Sequence, residues 1–236
     1  MHPVPMFPMR LLRLCLLLLL PLPGSAQEQS KVTCRFLSLE GSPPPPPLLN
    51  PGAEGEEVAC KVPANNLSPE TVCHAEGGAI RFLDASDRKV AATAKVPAGV
   101  KNAILLFIPA PKDKGVPPWR VFVIEDTARN IPDGGAFVAN FNSQDIRFVI
   151  GERKLMLRSG GSHAVPRPEK RDSFNMAPVV FQFQRKEKWA TANESMLRFT
   201  PGVRYLIFAY IDPGSGRPHV ATYQDLPRAP VEPVSP

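Results

Sequence analysis

Short apolar runs separated by turn-forming residues set the character of this chain. Val, Ile, Phe and Leu collect in brief segments bounded by Gly, Pro, Asn and Asp, and few stretches keep the i, i+3, i+4 spacing of an amphipathic helix. The pattern predicts strands at 32–38, 57–62, 79–84, 89–96, 100–108 and 119–125 in the first half. In the second half it predicts them at 135–141, 145–150, 153–158, 162–165, 179–184, 188–192, 195–199, 203–211 and 218–224. Ile146, Phe148 and Ile150 alternate with Arg147 and Val149, and Phe181 and Phe183 alternate with Gln182 and Gln184, the period of a sheet with one wet face. The runs AILLFI (103–108) and YLIFAYI (205–211) are apolar on both faces, so they are expected to be central strands covered from two sides.

Those two runs also belong to a repeat. Residues 99–108 (GVKNAILLFI) align without a gap on 202–211 (GVRYLIFAYI), an offset of 103 residues that also lays Val62-Pro63 on Val165-Pro166. VFVIED at 121–126 then matches VATYQD at 220–225 at an offset of 99, so the preceding loop is shorter in the second copy, where surface indels belong. A self-match of this kind outranks any local motif in deciding architecture. Each copy has the size of an immunoglobulin-like sandwich with strands every 8–12 residues. The expected fold is therefore all-β, two tandem immunoglobulin-like β-sandwiches from an internal duplication, at 27–126 and 134–225. Residues 127–133 (TARNIPD) would connect them, Ser42–Pro51 would form a polyproline II loop, and 226–236 would be a proline-rich tail that cannot pair as a strand.

The N-terminal segment is expected to route this architecture outside the cytosol. Residues 9–26, MRLLRLCLLLLLPLPGSA, carry two arginines, a leucine-rich core, and Gly24 and Ala26 where a signal peptidase reads small residues. Residues 1–26 are thus expected to be a signal peptide cut before Gln27, the apolar run being shorter than the ~20 residues of a membrane span. The expectation is export through the secretory pathway to a periplasmic or extracellular location, with no transmembrane span after cleavage. Cys15 follows Arg13-Leu14 and lacks the small-residue context of a lipid-modified cysteine.

Charge and cysteine content narrow the chemistry. The formal charge is +6, and basic groups such as Arg167, Lys170 and Arg171 have acids beside them (Glu169, Asp172), unlike the continuous basic face of a nucleic-acid binder. Three cysteines follow the signal segment. Cys60 and Cys73 close a short loop and are the expected disulfide, leaving Cys34 as a buried strand thiol. No CxxC, HxH or HExxH spacing points to a metal, and no cofactor signature is present.

Candidate catalysts are few. Gly160-Gly161-Ser162-His163 and Gly214-Ser215-Gly216 lack the strand-to-helix context of a nucleophile elbow and read as hairpin tips. A two-carboxylate hydrolase would have to draw on Glu125, Asp126, Asp212 or Asp225. Glu125 and Asp126 are adjacent in a strand and face opposite ways, while Asp126 and Asp225 share one place in the two copies, which points to a structural task at a strand end. Trp119 and Trp189 are the candidate ligand-binding residues, as flat rings near loops that suit stacking on a sugar. No catalytic residue is assigned.

The pieces CRFLSLEG, AILLFIPAP, VFVIEDTARNIPDGGAFVANFNSQDIRFVIG and YLIFAYIDP give the chain a resemblance, over roughly 31–225, to an uncharacterised family of exported bacterial all-β proteins with no known activity. That resemblance implies the all-β fold and makes Asn140 and Asn142 a structural asparagine turn. The function expected from the sequence is that of an exported, non-catalytic β-sandwich protein that binds a protein or a cell-envelope polymer. The alternatives are a carbohydrate-binding module and a glycosidase-like hydrolase.

Overall fold

A computed structural model describes residues 29–226 apart from 112, 114, 187 and 213. The expected signal peptide and all but the first residue of the expected tail lie outside the described residues. The first half contains β1 (Gln29–Ser38), β2 (Leu48–Pro51), β3 (Glu57–Cys60), β4 (Thr71–Glu76), β5 (Ala79–Asp84), β6 (Val90–Lys95), β7 (Asn102–Pro109) and β8 (Trp119–Glu125). The second contains β9 (Ala136–Asn140), β10 (Ile146–Ile150), β11 (Arg153–Leu157), β12 (Ser162–Val165), β13 (Met176–Arg185), β14 (Lys188–Arg198), β15 (Arg204–Ile211) and β16 (Pro218–Asp225). One 3-10 turn, Ala53–Gly55, is the sole helical element among the described residues. The chain is all-β. No described helix is long and apolar enough to cross a membrane.

Both halves follow the same strand order. In the second, β12-β9-β15-β16 and β11-β10-β13-β14 form two four-stranded sheets. In the first, β4-β1-β7-β8 and β3-β2-β5-β6 are the corresponding groups, fused into one sheet where β4 turns into β5 at the Glu76–Ala79 pair. The first and seventh strands of each half run parallel, Thr33 opposite Asn102 and Ala136 opposite Tyr205, 69 residues on in each case.

Three apolar clusters show how the sheets stack. Val32, Cys34 and Phe36 of β1 with Ala103, Leu105 and Phe107 of β7 point into the core of the first half. Ala136 and Val138 of β9 with Tyr205, Ile207 and Ala209 of β15 point into the core of the second. The alternate residues, Leu37, Ile104 and Leu106 against Phe137, Leu206 and Phe208, meet in a third cluster between the halves. The two all-apolar runs are therefore central strands as expected, and the cover on their second face is the other half of the chain.

This facing corrects the ungapped alignment. It lays Ala103 on Leu206, yet Ala103 points into a core and Leu206 at the interface. Pairing like with like needs an offset of 102, Ala103 on Tyr205 and Ile104 on Leu206. The odd residue lies after the turn glycines Gly99 and Gly202, both at positive φ: Ala103 is four residues beyond its glycine and Tyr205 three beyond its own. A one-residue slip moves every strand side chain to the opposite face, so hydrophobicity alone could not register two strands that are apolar on both sides.

Two strands were not expected. Leu48–Pro51 pairs with β3 and β5 at the end of the proline-rich loop, because Leu48 enters the core and the Asn50 side chain bonds the His74 backbone at both its N–H and its carbonyl. Thr71–Glu76 pairs with β1, but Cys73, His74 and Ala75 are buried in succession, which erases the period of two. Conversely, the expected pair of strands at 188–192 and 195–199 is one strand. The pairing jumps from Phe181–Asn193 to Gln182–Thr191, so Ala192 is a bulge that breaks the alternation.

Candidate functional site

The most concentrated polar chemistry lies at one end of the interface between the halves. Arg35 sits on the interface face of β1, between Cys34 and Phe36, which enter the first core. Asp126 follows β8 and is bonded to the start of β7 through its backbone N–H and the Asn102 carbonyl, 2.9 Å. Arg204 opens β15, and Asp225 closes β16 directly opposite it. Arg35 within β1 and three residues at strand ends thus bring two guanidinium and two carboxylate groups together.

Each acid receives both arginines. Arg35 Nη1 donates to Asp225 Oδ1 at 2.7 Å and Nη2 to Asp126 Oδ2 at 2.6 Å. Arg204 Nη1 donates to Asp126 Oδ1 at 2.8 Å, its Nε to Asp225 Oδ2 at 3.0 Å, and its Nη2 also bonds Asp225. The Arg35 and Asp225 side chains are each 7% exposed. Burial alone would raise the Asp225 carboxyl, but the hydrogen bonds and charges of Arg35 and Arg204 outweigh it and hold the group below the usual carboxylate range. Burial likewise opposes the charge on Arg35, and the two aspartates more than offset it.

Beyond the ion group the same interface is fastened by neutral groups. Tyr210 donates its hydroxyl to the Glu40 carbonyl at 2.7 Å, and Tyr223 donates to the Ser38 carbonyl at 3.1 Å while accepting from the Glu40 N–H at 2.5 Å. Burial pushes both phenols well above their ordinary range. The connecting segment contributes as well, since Ile131 is fully buried in the interface cluster.

A cleft of about 420 Å³ opens beside the charged end, lined by Arg35, Glu70, Asp126, Asp133, Arg204 and Asp225 among others. Asp126 and Asp225 therefore do share a cleft, as a two-carboxylate hydrolase would require. Both, however, are held by arginine. A general acid needs a carboxyl held protonated by a raised pKa, whereas Asp225 is pushed the other way and both acids are paired with the same two arginines. Glu125 lies on the opposite face of its strand and accepts from Asn130 Nδ2 at 3.2 Å. Asp212 closes its own turn by accepting from the Gly214 and Ser215 N–H groups and the Ser215 hydroxyl. The structural task that Asp126 and Asp225 share at their strand ends is thus to receive arginine side chains.

The other candidates are dispersed. Trp119 is part-buried against the first core and lines a surface cleft with Val116, Pro117 and Arg120. Trp189 lies on β14 in the second half, and one face of its ring is covered by the Arg147 guanidinium, 4.1 Å from the centroid. The two tryptophans do not form one site. Cys34, Cys60 and Cys73 are buried free thiols, with no Cys60–Cys73 bond in this structure. His74 lies against Gly52, His219 packs edge-on to Tyr210, and His163 pairs on β12, so the histidines do not converge. Among the described residues no group of three His, Cys, Asp or Glu side chains is placed to hold a metal ion. Asn140 is structural, its buried amide donating to the Gln144, Leu157 and Arg158 carbonyls while its oxygen accepts the Asn142 N–H.

Arg35 and Arg204 carry the charged end of the interface and were not singled out in the sequence. One signal was present: an arginine inside CRFLSL, a strand apolar on either side of it, needs a buried anionic partner. No protein-family model matches this chain, and no curated protein matches it.

Proposed function

We propose that this chain is an exported, non-catalytic protein, built by duplication of one eight-stranded unit, whose two halves act as a single rigid body that binds a protein or cell-envelope partner. The observation that carries the non-catalytic part of this reading is the commitment of the available carboxylates: Asp126 and Asp225 to Arg35 and Arg204, and Asp212 to its turn. The duplication is supported by the matching strand order and by the equivalent placement of Asp126 and Asp225 once the repeat is read at the corrected offset.

Partner binding is supported by the outer face of the β11-β10-β13-β14 sheet. Met156 and Met196 are 61% and 48% exposed there. Arg147, Val149, Lys154, Val180 and Gln182 line a cleft of about 430 Å³ beside Met156. Flexible thioethers, one of them with Arg147 and Lys154 beside it, suit an adaptable protein contact. A carbohydrate reading is less well supported, because Arg147 already occupies one face of the Trp189 ring.

Photo-crosslinking in the producing cells tests the proposal. A benzophenone side chain placed at 156 or 196 is expected to capture a discrete species that is not captured from 212, in a turn of the opposite sheet. Capture from 212 alone, or hydrolysis of a glycan lost on Asp126→Asn, would contradict it.

A further inference from the structure

Three thiols meet in the core of the first half. Cys34 on β1, Cys73 on β4 and Cys60 at the end of β3 are all buried and belong to one apolar cluster. In the antiparallel β1–β4 pair, Cys34 lies opposite Thr71 and Cys73 opposite Val32, so the two cysteines are diagonal neighbours on the inward face. The Cys34 Sγ leans back to the Val32 carbonyl at 3.6 Å, toward the residue that Cys73 faces. Cys60 reaches the group from β3, which packs against β4 and belongs to the facing set of strands. The Cys73 thiol interacts with both others, and is the middle of the three.

The two contacts of Cys73 are not equivalent. Diagonal residues on paired antiparallel strands are about 7–8 Å apart at Cα, beyond the ~4.4–6.8 Å over which a disulfide closes without backbone movement. The β-ladder fixes that separation for Cys34 and Cys73. No ladder joins Cys60 to Cys73: Cys60 lies opposite Leu48 on β2, and Cys73 opposite Val32 on β1. Hydrogen bonding to Cys73 and burial raise the Cys60 thiol, and the Cys34 contact with burial raises Cys73, so in the closed core both stay protonated and unreactive. Oxidation therefore belongs to the folding chain, before the strands close over the thiols.

We propose that the first half is an oxidative cross-linking site in which Cys73 pairs with Cys60, tying β4 to β3, while Cys34 stays a buried thiol excluded by strand geometry. The step is a thiol–disulfide exchange. One cysteine thiolate attacks a small-molecule disulfide such as oxidised glutathione and releases one glutathione thiolate. The second cysteine then displaces the other glutathione, so two protons and two electrons leave the protein and two molecules of reduced glutathione form. The site does not rest on the export reading, because the oxidant is supplied in the test.

The full-length chain carrying Cys15→Ser is refolded in a glutathione redox buffer, trapped with an alkylating agent, and mapped by mass spectrometry of unreduced peptides. The expected product has one disulfide, Cys60–Cys73, and one thiol, Cys34, that alkylates only after denaturation. Its melting temperature should fall by roughly 6–12 °C on reduction, the loss expected for a short closed loop in a chain of this size. Adding Cys34→Ser should leave the disulfide in place, and adding Cys60→Ser should give no intramolecular disulfide. Three alkylatable thiols after refolding, a bond that includes Cys34, or transfer of the bond to Cys34–Cys73 in the Cys60→Ser chain overturns the proposal.

Discussion

Arg35 and Asp225 stand 190 residues apart in the chain and 2.7 Å apart in the fold, buried between the two halves. One belongs to the first strand and the other to the last among the described residues, so a single contact ties together the two ends of the described fold. Arg204 and Asp126 complete the group, and each of the four side chains pairs across the interface or supports one that does. Removing one partner of a buried ion pair leaves an uncompensated charge and costs about 3–5 kcal/mol. Asp225→Ala is expected to lower unfolding stability by that amount in urea melts. A loss under about 0.5 kcal/mol would mean that Arg204 and Asp126 hold the interface without it.

The same group sets a pH dependence. The folded Asp225 carboxyl lies below its unfolded value of about 3.9. It therefore contributes stability that is complete above the unfolded value and is lost as pH falls through the lower, folded one. Stability measured between about pH 5 and pH 2 should drop more steeply for the natural protein than for Asp225→Asn, which has no proton to take up.

The neutral end of the interface should be weaker. Tyr223→Phe removes a hydroxyl bonded to both Ser38 and Glu40 and leaves the two backbone groups to find other partners. The expected cost is about 1–3 kcal/mol, read by the same melts. Phe208→Ala, in the apolar centre, should cost about 3–5 kcal/mol.

How much of this could be read along the chain follows from where each residue's partner lies. β5, β8 and β12 are observed with the expected bounds, because hydrophobic runs between turns are local signals. The burial of AILLFI and YLIFAYI on both faces was equally plain. What covers them was not, since an apolar strand face does not record whether a helix, a sheet or a second copy lies on it. The ion group was half visible: Asp126 and Asp225 drew notice through their repeated position, whereas Arg35 and Arg204 occupy non-equivalent places in the two halves and leave no repeat to find. β4 stayed hidden because three consecutive buried residues, one of them His74, match neither helical nor strand periodicity.

A close backbone approach fixes the start of the second half. A Cβ on Gly135 would lie 2.3 Å from the Val165 carbonyl, and the Gly135 carbonyl accepts the Tyr205 N–H. The obstacle is backbone on β12, which cannot rotate away. Gly135→Ala is expected to cost about 1–3 kcal/mol and to speed amide exchange in β9 and β12 before it does so in β5 and β6.

The interface should unite the two halves in one cooperative body, and the chain supplies a reporter for each. Its two tryptophans are divided between them, Trp119 on β8 and Trp189 on β14. Urea unfolding of Trp119→Phe and Trp189→Phe, each followed by fluorescence and by far-ultraviolet circular dichroism, compares one half with the whole in the same molecule. Fluorescence and dichroism are expected to coincide in each variant, with one midpoint and one slope. A fluorescence transition separated from the dichroism transition in either variant would show that the halves unfold independently and that the interface does not unite them.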